Sequence, residues 1–341
     1  MKIALLSYTN VTSGVGVIAH GLFKWLPTDS ILSIASSKGH STWCPRQSDV
    51  SSPRPPLFQK FLRQFKPDVL LSVETMFDNG HFVHDVCTEH HVRTATIIMH
   101  ESYNPGQTRV GLYICPTWIC LSRVKEKNKA LFELPFEIEQ FPFKPRTQAR
   151  RFLHVMGFGA AHNRRQTREV VAGFLEANLP HATLTVHCCQ DWRAEYGRRE
   201  DPRVTYRRQI MPEQRSVYAG FDVLVQPESY AGFCLPILEA QACGMPVITT
   251  NAAPMNEHIS DFDALIPVAQ VQRLETRGTS PTRVNLDQQL VTAEGVAAAI
   301  TRIDNSDVHG KSVKARLHAE TRAWSAAKAE ELRTLLKYIP K

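Results

Sequence analysis

The sequence predicts an α/β protein of two domains, each a parallel, doubly wound sheet. Three observations carry this. The chain has 341 residues, more than one ordinary core accommodates. Short β-rich runs alternate with helical stretches along most of its length. Near the middle, 141–150 (FPFKPRTQAR) combines two prolines with basic residues and no hydrophobic period, as a linker does.

In chain order, Lys2–Ser7 alternates toward a buried first strand, and Val17–Leu26 reads as the helix after it. Ile31–Ser36, Val69–Val73, Thr94–Met99 and Ile119–Ser122 are the next β-rich runs. Beyond the linker a second set follows: Phe152–Met156, Thr183–His187, Val204–Arg207, Asp222–Gln226 and Val247–Thr250. Val268–Asp287 is polar and irregular, the pattern of a surface loop. Ala315–Tyr338 reads as one long helix with Trp324 and Leu335 on related faces. The resulting domains are 1–145 and 146–314, with a helical segment at 315–341.

Hydrophobic and charged fractions of 43% and 21% are those of a soluble globular protein. No apolar run approaches the roughly 20 residues that span a bilayer. The opening MKIALLSYTN reads as a strand and polar loop, not as a signal peptide. Eight scattered cysteines without a C-x-x-C pair argue against a disulfide scaffold or zinc site and for a reducing cytosol. The net charge is +7; residues 1–150 hold 17 Lys and Arg against 12 Asp and Glu. That excess suits an anionic acceptor or surface, nucleic acid or acidic lipid, or is ordinary solubility charge.

The segment most specific for chemistry is Pro227–Glu257, PESYAGFCLPILEAQACGMPVITTNAAPMNE. Pro236 opens a helix at the position where its missing N–H costs nothing. The backbone N–H groups of Phe233, Cys234 and Leu235 then stand at the positive helix end, where a phosphate would sit. Glu239 follows one turn in, on an otherwise apolar helix. A carboxylate there needs donors, and a ribose diol supplies two hydroxyls. Together they describe a nucleotide-diphosphate-sugar site. Ser229 and Tyr230 precede the loop and either reach phosphate or sugar hydroxyls or cap the loop.

This segment resembles the donor signature of the retaining family 4 glycosyltransferases, P-S-x-x-E-G-F-G-L-P-x-L-E-A-x-A-C-G-x-P-V-I with a later Glu. Gly232, Phe233, Leu235, Pro236, Glu239, Ala240, Cys243, Gly244, Pro246 and Glu257 fall in register; the first Glu of the family's E-x7-E pair is Ala231. The resemblance implies two facing Rossmann-like domains (the GT-B architecture), with a C-terminal helix packing back on the N-terminal one. It also implies a UDP- or GDP-sugar donor held mainly by the C-terminal domain, retention of anomeric configuration, and no obligatory metal.

Three further regions bear on that reading. Ser13–Ala19 is formally a G-x-G-x-x-A fingerprint, but strand two ends in Ser36-Ser37 without the acid an NAD ribose needs. Gly14, Val15 and Gly16 read instead as a loop admitting the donor's phosphates, as in the family, or as a structural turn. The stretch 157–168 follows the second domain's first strand, where open α/β sheets place ligands. The family's clamp Lys best matches Arg165, with Arg164 the neighbouring option; its clamp Arg falls on Phe158 or Ala160 and is missing. His100 resembles the family's strand-end His, which contacts the donor sugar; imidazole there can orient a hydroxyl or take up a proton. Ile210 and Met211 match the backbone that holds the base.

The catalytic set expected is His100, Arg165 and Glu239. Rival readings are a transferase acting on hydroxymethylated DNA bases, a non-catalytic nucleotide-sugar-binding subunit suggested by Ala231, and, more remotely, a dehydrogenase. The helix in 53–67 carries Phe58, Phe61, Leu62 and Phe65 opposite Lys60, Arg63 and Lys66. It either docks on its sheet or lies on an anionic membrane.

Overall fold

The computed structural model describes residues 1–10, 13–26, 28–34, 44, 46–50, 55–74, 82–103, 105, 109–157, 163–189, 200–208, 217–274 and 286–339. The chain divides into two compact units. One holds Met1–Phe136 and Trp324–Lys341, the other Glu137–Leu274 and Asn285–Ala323.

In the first unit the order is β1 (Ile3–Tyr8), α1 (Gly14–Trp25), β2 (Thr28–Ile34), β3 (Gln47–Val50), α2 (Pro55–Phe65), β4 (Val69–Val73), α3 (Phe82–Glu89), β5 (Arg93–Ile97), β6 (Leu112–Cys115), α4 (Trp118–Arg123) and β7 (Lys129–Leu131). Among the described residues these strands form one parallel sheet, ordered β3-β2-β1-β4-β5-β6-β7. β1 and β4 are apolar on both faces because helices cover both, which is why they read as continuous hydrophobic runs. Phe58, Phe61 and Leu62 of α2 are buried in this core with Leu6, Leu70 and Val86. The apolar face of that helix is therefore occupied by its own sheet.

Ile119–Ser122 is not a strand but lies within α4, and the neighbouring strand is β6. The Thr117 side chain accepts the Cys120 N–H at 3.3 Å, and this cap sets the local conformation. A four-residue run has no period of its own to oppose it.

The second unit contains β8 (Arg151–Gly157), α5 (Thr167–Glu176), β9 (Thr183–Cys188), β10 (Val204–Arg208), β11 (Val223–Val225), α6 (Leu235–Ala242), β12 (Val247–Thr250), β13 (Leu265–Ile266), β14 (Gln270–Leu274), β15 (Leu286–Leu290), α7 (Ala293–Asp304) and α8 (Val308–Thr321). Its parallel sheet runs β10-β9-β8-β11-β12-β13, so the order reverses between β8 and β11. Open α/β sheets bind ligands at such a reversal, beyond the strands' C-terminal ends. Phe152, Phe174, Leu184, Val223, Ile248 and Ile300 are among its core residues. Gly173 has no Cβ because one would meet the Ala293 carbonyl and Val296 where α5 and α7 touch.

Three expectations are corrected here. Part of the supposed loop 268–287 is an antiparallel ribbon, β14 against β15, with Gln272 opposite Gln288. Its strands are polar and β14 is largely exposed, so they carry no apolar alternation. The segment 315–338 is two helices, since α8 ends at Thr321 and α9 (Ala326–Lys337) begins behind a Ser325 cap on the Lys328 N–H. The stretch 141–150 is no loose linker: Arg146 donates through Nε to the Phe221 carbonyl at 2.7 Å, and its N–H bonds Ser312 Oγ at 2.9 Å.

The break between α8 and α9 has a packing cause. Trp324 is buried in the first unit, stacked on Trp25 with centroids 6.0 Å apart, and its N–H donates to the Phe136 carbonyl. No helix among the described residues is long and apolar enough to cross a membrane.

Candidate active site

The site assembles in the second unit, where β8 and β11 end. Gln226, just past β11, is fully buried and clasps β8: it accepts the Val155 N–H at 3.1 Å and donates to the Val155 carbonyl at 3.0 Å. The same amide donates to Glu228 Oε1 at 2.8 Å. Glu228 has no solvent exposure, and it meets both arginines after β8. Arg165 pairs through Nη1 with Oε1, while Arg164 Nε stands 3.7 Å from Oε2. Arg164 also donates to the Tyr230 carbonyl at 3.2 Å and lies over the Tyr230 ring, and its own carbonyl accepts the Ser229 N–H. The two basic residues are thus knitted to the loop that opens α6.

That loop ends at Cys234, the N-cap of α6, with φ 63° and ψ 51°. This left-handed conformation is one that glycine adopts freely and in which a side chain is strained. Pro236 follows in the first turn. Phe233 packs edge-on against the buried His258 ring.

Glu239 is 1% exposed, and its Oε2 accepts the Tyr218 hydroxyl at 2.6 Å. Burial pushes the Glu239 carboxyl up to about 7, the Tyr218 hydrogen bond acting in the opposite sense. Burial and the Glu239 charge together hold the Tyr218 phenol well above its ordinary value. Beneath Arg165 and Thr167, His154 bonds the Val225 carbonyl and Thr167 Oγ1; burial and then the Arg165 charge lower its pKa to about 4.

The structure brings Arg164, Arg165, Ser229, Tyr230 and Cys234 together around Glu228, with Gly232 and Phe233 on the connecting loop; Leu235 opens α6 beyond them, and Glu239 further along that helix is joined instead to Tyr218. Ser229 is engaged on its far side, its carbonyl accepting the Gln289 N–H and its hydroxyl the Gln288 amide of β15. It braces the loop against the ribbon. Glu257 gives its carbonyl to Arg322. Ile210, Met211, Phe158 and Ala160 lie outside the described residues.

Two candidate elements lie in the first unit. Gly14–Gly16 do not form a loop but the first turn of α1, capped by Ser13, whose Oγ accepts the Gly16 N–H at 3.1 Å. Gly16 is glycine for packing, because a Cβ there would run into the Asn10 carbonyl. Gly14 is exposed and Val15 half-buried. His100 is buried three residues beyond β5, in the turn where Ser102 N–H bonds the Met99 carbonyl and Ser102 Oγ donates to Glu74.

Sequence reasoning missed Gln226, Glu228 and Tyr218. A signal for Glu228 existed: an acid directly after a buried apolar strand, DVLVQPE, three residues ahead of Ala231, with two adjacent arginines after another strand.

Two Rossmann-type halves with a helix-opening loop at the strand reversal define the class as a GT-B fold. Solved structures agree. Sucrose-phosphate synthase from Thermosynechococcus elongatus superposes with a TM-score of 0.69 over 99% of this chain and 98% of its own, at 16% identity. HepE of Anabaena, solved in complex with UDP and glucose, gives 0.66 over 99% of both chains at 11% identity. At such identities the likeness is one of fold. Within that class, residues 117–276, somewhat less than half of the chain, match the family described as glycosyl transferases group 1. The O-antigen chain mannosyltransferase B of Escherichia coli is 31% identical over 83 residues, 24% of this chain. That match spans 22% of the mannosyltransferase's length.

Proposed function

We propose that the protein is a retaining glycosyltransferase that moves a sugar from a nucleoside-diphosphate sugar to an acceptor hydroxyl. The observation that carries this is the meeting of Arg164 and Arg165 with the loop opening α6, one turn ahead of the buried Glu239. The group 1 match over 117–276, and the UDP and glucose held by a protein of the same fold, support it.

In this reading the diphosphate lies against the opening amides of α6 and the Arg165 guanidinium, and Glu239 takes the ribose hydroxyls. As the anomeric C–O bond breaks, its electron pair collects on the phosphate oxygen, where fixed donors and cations help most. The acceptor oxygen attacks the same face, and its proton passes to that departing oxygen, so no carboxylate nucleophile is required and configuration is retained. The counter-charge comes from side chains, without an obligatory metal. His100 orients a sugar hydroxyl, the amides at Gly14 and Val15 take donor phosphate oxygens, and backbone at Ile210 holds the base. The acceptor belongs to the first unit, whose positive balance suits an anionic one. Ala231 removes a charged hydrogen bond to the sugar, which weakens sugar discrimination by about 1.5–3 kcal/mol.

The test is a panel of UDP- and GDP-sugars read by thermal shift on purified protein, then transfer assays with carbohydrate, lipid and hydroxymethylated-DNA acceptors. At least one donor is expected to raise the melting temperature, with an α-donor giving an α-product by NMR. A panel without any shift would reject the reading. Ala231 also favours a second one, a donor-binding subunit; a donor shift with neither hydrolysis nor transfer selects it.

A further inference from the structure

Glu228 is the feature of this site that the function above does not use. It occupies the position of the small Ser in the donor pattern and is completely enclosed. A buried carboxylate is costly unless charges and donors compensate it. Here Gln226 donates to Oε1 at 2.8 Å, Arg165 pairs with the same oxygen, and the Cys234 thiol lies 3.7 Å away. Among the described residues Oε2 has no hydrogen-bond partner, and it faces Arg164 Nε at 3.7 Å. Its backbone is also held, the carbonyl accepting Thr250 Oγ1 at 2.9 Å. A continuous path therefore runs from the β8 backbone through Gln226 and Glu228 to the Arg165 head.

We propose that Glu228 is a positioning residue of the diphosphate clamp, fixing the Arg165 guanidinium while cancelling one of the two positive charges that Arg164 and Arg165 present. This rests on the reading of those arginines as the clamp. Arg165 is 17% exposed at its side chain, so it is partly open to a ligand. A guanidinium has five donors in a fixed fork, more than one carboxylate oxygen can engage. The same carboxylate repels a diphosphate, because the pair's charges act at short range in a site of reduced dielectric. Without the Glu228 charge, the two arginines would hold the released nucleoside diphosphate more tightly; with it, the product leaves more readily.

Two consequences distinguish this role from scaffolding. Glu228→Gln keeps the shape and an acceptor for Arg165 but removes the charge. It should bind inorganic pyrophosphate at least about fivefold tighter than wild type, with a steeper salt dependence. In transfer assays the same variant should lower both kcat and the donor KM, since product leaves more slowly. Damage to a scaffold would instead weaken binding.

The experiment is calorimetric titration of pyrophosphate and UDP at two salt concentrations into wild type, Glu228→Gln, Arg165→Gln and the double variant. The double variant keeps a neutral pair, so a failure of Glu228→Gln alone to fold leaves a comparison: removing Glu228's charge must tighten pyrophosphate binding relative to Arg165→Gln. Equal or weaker binding on removing that charge, in folded protein, overturns the proposal. If wild type binds neither probe and Arg165→Gln changes nothing, the clamp itself is wrong and this inference falls with it.

Discussion

The Tyr218 hydroxyl donates to Glu239 Oε2 across 2.6 Å, with both side chains shut off from solvent. The phenol comes from the turn ahead of β11 and the acid from the middle of α6, so the bond ties the strand's entry to the helix beyond its exit. Tyr218 supplies one of the donors that a buried carboxylate needs.

Glu239→Ala should weaken nucleotide-sugar binding at least about tenfold by calorimetry, equivalent to about 1.4 kcal/mol. Unchanged affinity would remove Glu239 from the ribose. Tyr218→Phe should destabilise the protein by about 1–2 kcal/mol in urea, because it strands an acceptor in a closed site. It should also push the Glu239 titration upward, since it removes the interaction that lowers it.

Stability should depend on pH through the same acid. The Glu239 carboxyl is raised in the folded state from 4.5 to about 7. Its protonated form is favoured by folding, so its contribution is complete below pH 4.5 and is lost as pH rises through about 7. The loss is about 3 kcal/mol from a shift of this size. His154 acts oppositely: lowered from 6.5 to about 4, its contribution is present above pH 6.5 and lost on acidification. The two partly cancel in wild type. Urea titrations of Glu239→Gln against wild type between pH 4.5 and 7.5 isolate the acid: the variant should gain relative stability toward pH 7.5. A constant difference between the two would contradict it.

What the sequence made legible follows from where information is local. β1 and β4 are nearly continuous apolar runs, and β8, β9 and β12 are mostly buried runs rich in apolar or β-branched residues, so each could be read directly. β3, QSDV, and the ribbon strands QVQRL and LDQQL are polar, so nothing in their composition marks pairing. The break between α8 and α9 has neither Gly nor Pro; it follows from the burial of Trp324 against Trp25. In the candidate site, Pro236, Glu239 and Arg165 could be singled out by their position relative to a helix or strand end. Tyr218 could not, and Glu228, though it too follows a strand end, showed nothing of its partners, because these are set by which strands become neighbours at the reversal.

Trp324→Ala should cost about 3–5 kcal/mol, measured by urea denaturation. The indole stacks on Trp25 and contacts Phe132, and a Cβ on Gly21 would sit 2.9 Å from its Nε1. Truncation leaves a cavity that α9 cannot fill, since its Ser325 cap and the Phe136 bond fix its start. A cost below about 1 kcal/mol would mean that α9 is not anchored by this residue.

His100→Ala should depress transfer while leaving donor affinity near wild type. The residue follows β5, a strand buried on both sides, and sits in a turn closed by the Ser102 and Tyr103 amides on the Met99 carbonyl. The turn's backbone bonds do not involve the imidazole, so truncation should leave the loop's course intact. The groups assigned to the diphosphate and ribose, Arg165 and Glu239, belong to the second unit and keep their own partners. Binding energy for the nucleotide should therefore survive, and the loss should fall on kcat, where an oriented hydroxyl matters. His100→Gln, which restores a hydrogen-bonding group of similar reach, should recover part of the rate. Wild-type turnover in His100→Ala would return His100 to a packing role, and a parallel loss of donor affinity would move it into the binding site.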